Sequence, residues 1–354
     1  MEMNTFFKNR RIMVTGHTGF MGSWLTDSLI MLDADVCGYA LEPPSTPNMY
    51  ETLGLQQSIK DVRGDIRDRE SLRQTIKDFQ PEIVIHLAAQ PIVRESYVNP
   101  VETFDINVTG TVNLLNELRK NPSAGTIIVV TSDKSYHNNE WVYPYRETDL
   151  LGGKDPYSAS KSCQDILVNS FRESFFSDSG IGVSSVRAGN IIGGGDWAKD
   201  RILPDMVRAI ANNESLKIRN PDSVRPWQHV LEPISGMLLL AHHMWKNMNF
   251  SDSWNFGPGY EKEATVRELV ETFIKYYGRG RYEIEKTGKF KEARYLKLDI
   301  NKAKKVLNWF PRLDFETTLK MTVEWYENYY SRSRDINLLT AEQIEYCIAG
   351  YKNE

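Results

Sequence analysis

Short apolar runs of strand length alternate with stretches of helical period through the first half of the chain. Arg11-Ile12-Met13-Val14 reads as a buried strand, and Trp24, Leu25, Leu29, Ile30 and Leu32 then recur at helical spacing. Asp35–Leu41 is a second strand, stopped by Pro43-Pro44, and 44–49 is a loop. Ile59–Val62 is a third, after which Asp68 is placed to cap a helix carrying Leu72, Ile76 and Phe79. The continuous apolar run Ile83–Ala89 must be covered on both faces, as in a parallel sheet. A helix over Val101–Arg119 follows, then a β-branched strand at Thr126–Val130 and a sixth apolar strand at Val183–Val186. This alternation predicts an α/β, doubly wound parallel sheet, in which ligands bind beyond the carboxyl ends of the strands. Further on, Leu269, Phe273 and Tyr277 mark one helix and Leu319, Val323 and Tyr326 another, while Tyr282–Glu285 alternates like a strand. The pattern after Arg332 predicts little.

Composition narrows the class. At 354 residues, 41% hydrophobic and 25% charged, the chain is globular and large enough for one large domain with an appended part. A net charge of −4 offers no general attraction for nucleic acid or an anionic membrane. No apolar stretch approaches a membrane span, and polar residues stand where a secretion signal would need an apolar core, so a cytoplasmic protein is expected. Cys37, Cys163 and Cys347 fit neither a zinc spacing nor a disulfide framework, and the six histidines are scattered, so no metal site is expected.

The candidate chemistry begins between the first strand and helix, where Gly16, Gly19 and Gly22 stand at i, i+3 and i+6. There glycines allow a tight turn, and the helix N-terminus offers N–H groups to a pyrophosphate. Glu42 is an acid near the end of the second strand, and no basic residue occurs between Tyr39 and Lys60, which leans towards NAD over NADP. Asp65, Ala88–Gln90 and Ser132–Lys134 are the other strand-end positions. After Pro156, Tyr157 and Lys161 lie four apart on one helical face, and a nearby ammonium is expected to lower the phenol towards neutral pH. The same spacing at Tyr282 and Lys286 has no cofactor signature beside it.

These segments resemble the extended short-chain dehydrogenase/reductase group, the nucleotide-sugar epimerases and dehydratases. The resemblance rests on TGHTGFMGSW at Thr15–Trp24, HLAAQP at His86–Pro91, TSDKSY at Thr131–Tyr136, GGKDPYSASK at Gly152–Lys161, RAGNIIGGGDW at Arg187–Trp197 and RPWQHVLEP at Arg225–Pro233. It implies a Rossmann-type NAD domain over 1–190, joined by about 224–258, and a smaller C-terminal lobe from 191–223 and 259–354 for the nucleotide sugar. Within the group it implies a 4,6-dehydratase, taking a cytidine-diphosphate hexose before a GDP-, dTDP- or UDP-linked one. Such enzymes oxidise C4, eliminate water across C5–C6 and return the hydride to C6. The implied roles are Tyr157, Lys161 and Ser132 in oxidation, Asp133 as acid at the C6 hydroxyl and Lys134 as base at C5. The cofactor would touch Gly16, His17, Thr18, Gly19, Phe20, Met21, Gly22, Asp65, Ile66, Leu87, Ala88, Ala89, Gln90 and Asn107, besides Tyr157 and Lys161. The substrate would meet Gln90, Ser132, Asn190, Arg201, Arg225, His229 and Arg294, with the arginines as diphosphate clamps. A homo-oligomer, dimer or tetramer, is expected, paired through Val101–Arg119 and Pro156–Phe176. Relatives commonly have lysine where this chain has Met21, so cofactor retention is where a difference should show. A 4-epimerase would need no elimination acid, and a non-catalytic dinucleotide-binding regulator would need none of Tyr157, Lys161, Asp133 and Lys134.

Overall fold

The structure, a computed structural model, describes residues 3–121, 123–259, 264–285 and 295–348. Its centre is a seven-stranded sheet: β1 (Arg11–Thr15), β2 (Asp35–Ala40), β3 (Lys60–Arg63), β4 (Ile83–His86), β5 (Thr126–Val130), β6 (Gly182–Ala188) and β7 (Ser253–Phe256). The order across the sheet is β7-β6-β5-β4-β1-β2-β3, and every pairing is parallel. Strand order reverses between β1 and β4, which opens the crevice where doubly wound sheets hold ligands.

Alternate strand residues feed two separate cores. Ile12, Val14, Ile83, Ile85 and Ile128 pack with Trp24, Leu25 and Leu29 of α1 (Phe20–Met31) on one face. Met13, Val84, Ile127 and Val129 pack on the other with Leu72, Ile76 and Phe79 of α2 (Arg69–Phe79) and Leu114, Leu115 and Leu118 of α3 (Gly110–Leu118). Also packed about the sheet are α4 (Pro156–Phe171) and the largely buried α6 (Leu231–Lys246), with α5 (Ile202–Ala211) between them in sequence. The C-terminal part adds α7 (Val266–Tyr277), α8 (Phe315–Ser331) and α9 (Ile336–Ile348). Three small strand pairs lie outside the central sheet: Ile191–Ile192 with Gln228–His229, Val224–Arg225 with Ala264–Thr265, and Leu216–Ile218 with Tyr282–Ile284.

Several elements differ from their sequence expectation. The helix expected over Val101–Arg119 is Pro100–Phe104, a wide π-turn at Asp105–Thr109, and then α3. The one expected to reach Phe176 leaves α-geometry at Arg172 for a second π-turn. Each π-turn adds one residue to a single turn, too small a change of phase to read from so few apolar positions. β4 ends at His86, and Leu87–Gln90 runs on as irregular chain along the crevice. The 44–49 loop ends in a short helix, Met49–Thr52, whose Asn48 side chain accepts from Glu51 N–H at 2.8 Å. α9, beyond the informative pattern, is anchored by Leu339, Ile344, Cys347 and Ile348.

Candidate active site

The glycine loop leaves β1 at Thr15 and is held from three sides. Gly16 has φ of 77°, and a Cβ there would lie 2.7 Å from Ala88 N, so only glycine lets this loop lie against the strand-end chain. Gly19 caps α1 without a side-chain acceptor, so the first amides of the helix (Phe20, Met21, Gly22) remain available to an anion. The cradle and the uncapped helix start fit a dinucleotide pyrophosphate. Thr18 donates to Leu41 O at 3.0 Å. His17 turns away from the crevice, fully buried, with Nε2 2.9 Å from Asp61 Oδ1, and burial lowers its pKa. Its ring therefore braces the loop from behind. Phe20 and Met21 are half-buried against the core.

Asp65 pairs with Arg67, whose hydrogen bonds lower the carboxyl, and Ile66 is buried beside it. Glu42 is not the isolated acid that the sequence suggests: β3 brings Arg63 Nε to 3.7 Å from it. Asn107 is fully buried and pins the chain after β4, accepting from Gln90 N–H at 2.8 Å and donating to Ser160 Oγ at 2.8 Å. Gln90 spends its own amide on Ile92 and Thr103.

A turn at Asp133–Ser135 follows β5 and collects the reactive groups. Asp133 is 1% exposed; Ser132 donates to one carboxylate oxygen at 3.0 Å and Asn190 to the other at 3.3 Å. Asn190 holds φ of 50°, a left-handed conformation asparagine tolerates, which aims its amide at the acid. Lys134 is half-buried, and its ammonium has no hydrogen bond or ion pair among the described residues. Tyr157 lies in the first turn of α4, which Asp155 caps by accepting from Ser158 N–H at 2.9 Å.

One expectation needs correction. Burial pushes the Tyr157 phenol up to about 12; hydrogen bonding with Ser132 and the charge of Arg201 pull it down, while Asp133 and Asp155 push it up. The Lys161 ammonium is bonded not to the phenol but to Val130 O at 3.2 Å and Gln164 Oε1 at 2.9 Å, and burial brings it down to about 8. Arg201, expected at the diphosphate, is thus the cation felt by Tyr157, and it pairs with Asp196 at 3.0 Å. Sequence reading also missed Ser96, which accepts from Tyr157 N–H at 3.1 Å. It missed Gln164 too, whose i+3 spacing from Lys161 was the available signal.

Next come Gln228, which the sequence did not single out, and the later candidates His229 and Arg225. Gln228 donates to Gly189 O and Phe256 O. His229 is fully buried, held down to about 3 by burial, and its Nδ1 accepts from Leu231 N–H at 3.4 Å. Trp227 Nε1, Gln228 Oε1 and His229 Nε2 are buried without partners among the described residues, three consecutive polar atoms of the kind a polar ligand satisfies. Arg225 lies on the Val224–Arg225 strand and donates to Val224 O at 2.9 Å, and Trp197 is packed in the core. Arg294 and Lys286 lie outside the described residues.

The chain belongs to the family described as GDP-mannose 4,6 dehydratase, whose model matches residues 13–322. Among individual proteins it is similar to CDP-glucose 4,6-dehydratase of Salmonella typhimurium, with 45% identity over 346 residues and 96% of each chain covered. Its fold is shared with an NAD-bound dTDP-glucose 4,6-dehydratase from Bacillus anthracis (TM-score 0.78, 24% identity, 91% of this chain and 98% of that one). A UDP-glucose 4-epimerase from Thermotoga maritima is equally similar in fold (TM-score 0.78, 24% identity, 90% and 99% covered). Among the described residues no helix is long and apolar enough to cross a membrane, and no cluster of potential ligands suits a metal ion.

Proposed function

We propose that this protein is an NAD-dependent hydro-lyase of the cytoplasm that converts CDP-D-glucose to CDP-4-dehydro-6-deoxy-D-glucose. The observation that carries this reading is the pair at the end of β5. A buried carboxyl, Asp133, is aimed by Ser132 and Asn190, and a neighbouring lysine, Lys134, has an uncommitted amine. Elimination needs an acid at the C6 hydroxyl and a base at C5; a 4-epimerase needs the tyrosine base for C4 oxidation but not this pair. The 45% identity to the Salmonella enzyme supports the cytidine base.

In this reading the glycine loop, the α1 amides, Asp65, Ile66 and Leu87–Gln90 hold NAD, and the substrate lobe is 191–223 with 259–354. NAD held there would supply a hydride acceptor for C4 and a hydride donor for C6. Tyr157 takes the proton of the C4 hydroxyl, oriented by Ser132. Lys134 then takes the C5 proton, acidified by the C4 ketone, and Asp133 gives a proton to the departing C6 hydroxyl. Asn190, Gln228, His229, Arg201 and Arg225 face the sugar diphosphate. The protein acts as a homo-oligomer, and its partners include neither nucleic acid nor membrane.

The test is to supply CDP-glucose, dTDP-glucose, UDP-glucose and GDP-mannose separately and to read 4-keto product by its absorbance in alkali. Turnover of CDP-glucose above the others is expected. Formation of CDP-galactose without 4-keto sugar would assign the epimerase instead, and no turnover of any sugar would overturn the reading.

A further inference from the structure

A continuous chain of buried hydrogen bonds runs from the residue before the glycine loop to Lys161. Thr15 Oγ1 lies 2.6 Å from His86 Nδ1, and His86 Nε2 lies 3.0 Å from Thr111 Oγ1. Gln164 Nε2 reaches the same Thr111 oxygen at 2.7 Å, and Gln164 Oε1 meets the Lys161 ammonium at 2.9 Å. All five side chains are buried, and they come from β1, β4, α3 and α4.

The direction of every bond is determined. Thr111 donates its only hydroxyl proton to Asn107 O at 2.7 Å, so its oxygen must accept from both Gln164 and His86. His86 therefore carries its proton on Nε2, and Nδ1 accepts from Thr15, which in turn accepts from Ala88 N–H at 3.3 Å. Gln164 cannot flip, because its amide nitrogen would then face an ammonium and its oxygen would face a hydroxyl with no proton to give. The carbonyl is left pointing at Lys161.

Resting on the dehydratase reading, we propose that Gln164 is a positioning residue. Oriented by the Thr111–His86–Thr15 chain, it holds the Lys161 side chain in its charged form, in one place on the Tyr157 face of α4. The chain ends one residue before Gly16, so the same bonds tie Lys161 to the loop that receives the cofactor. Burial lowers Lys161 to about 8, and His86 is held neutral, down to about 3, chiefly by burial and then by the Lys161 charge. On the same helix, Asp165 favours the charged lysine and is itself paired with Arg187 of β6 at 3.1 Å. Segments packed against α4 bring Asp133 and Lys134, Arg94 and Glu95, Glu102 and Asp105, Glu117 of α3, and Arg172 and Glu173 of the turn that follows α4. Gln164 Oε1 is the only side-chain acceptor bonded to the ammonium among the described residues.

The experiment compares wild type with Gln164→Met, which keeps length and removes the acceptor, and Gln164→Glu, which keeps an acceptor. Lysine labelled with ¹³C at Cε is titrated by NMR, the Lys161 signal being assigned by its loss in Lys161→Met. The expected result is a Lys161 midpoint that falls by about one pH unit in Gln164→Met and rises in Gln164→Glu. The alkaline limb of kcat should move in step, with the KM for the nucleotide sugar unchanged. An unchanged midpoint in folded Gln164→Met overturns the proposal, whatever the activity. Shifted midpoints in a protein that dehydrates no nucleotide sugar would leave the chain standing and overturn the functional reading.

Discussion

Asp133 is where chemistry and packing meet most tightly. Its carboxylate takes hydrogen bonds from Ser132 and Asn190 at 1% exposure. Asn at 133 would keep the shape and lose the acid, so Asp133→Asn should slow elimination on the order of 100-fold while C4 oxidation proceeds. Reduced NAD, followed at 340 nm, should then accumulate within a turnover, and a wild-type time course would remove Asp133 from the acid role. Gly189 tests the same carboxyl from outside. A Cβ there would sit 2.1 Å from Asp133 Cγ, in a place without slack. Gly189→Ala should displace the acid and cost on the order of 100-fold in kcat, since a shift near 1 Å is enough. If kcat holds, Asp133 is not confined as its burial suggests. Tyr157 and Lys161 were legible as a pair because helical spacing puts i and i+4 on one face. The i+3 spacing made Gln164 a possible partner of Lys161, but that the ammonium settles on Gln164 and Val130 was not legible, since a side chain's partner depends on rotamer and burial.

At the scale of elements, six strands of the sheet were legible; central strands such as β4 and β5, covered on both faces, read as unbroken hydrophobic sequence, whereas the edge strand β3, Lys60-Asp61-Val62-Arg63, was marked chiefly by its place in the alternation. β7 escaped because Ser253-Trp254-Asn255-Phe256 mixes polar and apolar residues. Its Asn255 is fully buried and bonds Tyr145 O and Asp299 O, a use of a polar residue that no hydropathy pattern registers. The Thr15-to-Lys161 chain was hidden for a related reason: its members come from four elements and meet only once the sheet is assembled. α6 carries another such residue. Glu232, 2% exposed, accepts from Arg312 N–H at 2.8 Å and Leu313 N–H at 2.6 Å, fastening the segment before α8. Burial raises its carboxyl from 4.5 to about 7 despite those bonds. The unfolded chain thus releases this proton at lower pH than the folded one. The stabilisation from this group is complete below about pH 4.5 and is lost as pH rises through 7. Glu232→Gln keeps an acceptor for both amides without the charge. It should raise Tm at pH 8, by on the order of 1–3 kcal/mol of stability, and change little at pH 5. An equal effect at both pH values would mean that Glu232 does not titrate on unfolding.

For the whole molecule, α4 has two duties on opposite faces. One face turns Tyr157, Lys161 and Gln164 inward; the other leaves Cys163, Ile166 and Asn169 exposed, Ile166 at 57%. Pro100–Phe104 packs beside α4 and exposes Val101 at 73%, next to Val98. β-Branched residues are thus left in water on two adjoining helical segments, and exposed apolar surface of this kind would be covered if a twofold axis set each patch against its copy. A second copy of this chain is therefore the occupant proposed for that face. Light scattering during gel filtration should give twice the 40.8 kDa chain mass, or four times it if a further face takes part. Val101→Glu with Ile166→Glu should halve that mass. Both sites are at the surface, so folding should survive, and an unchanged Tm would show that it does. A wild-type monomer would overturn the pairing, and a doubly substituted protein of unchanged mass would move the interface elsewhere. Because α4 also carries Tyr157, the dissociated variant should lose turnover more than cofactor binding: the glycine loop stands on β1 and α1, remote in sequence from the proposed interface, while Tyr157 stands on the helix that a partner there would steady.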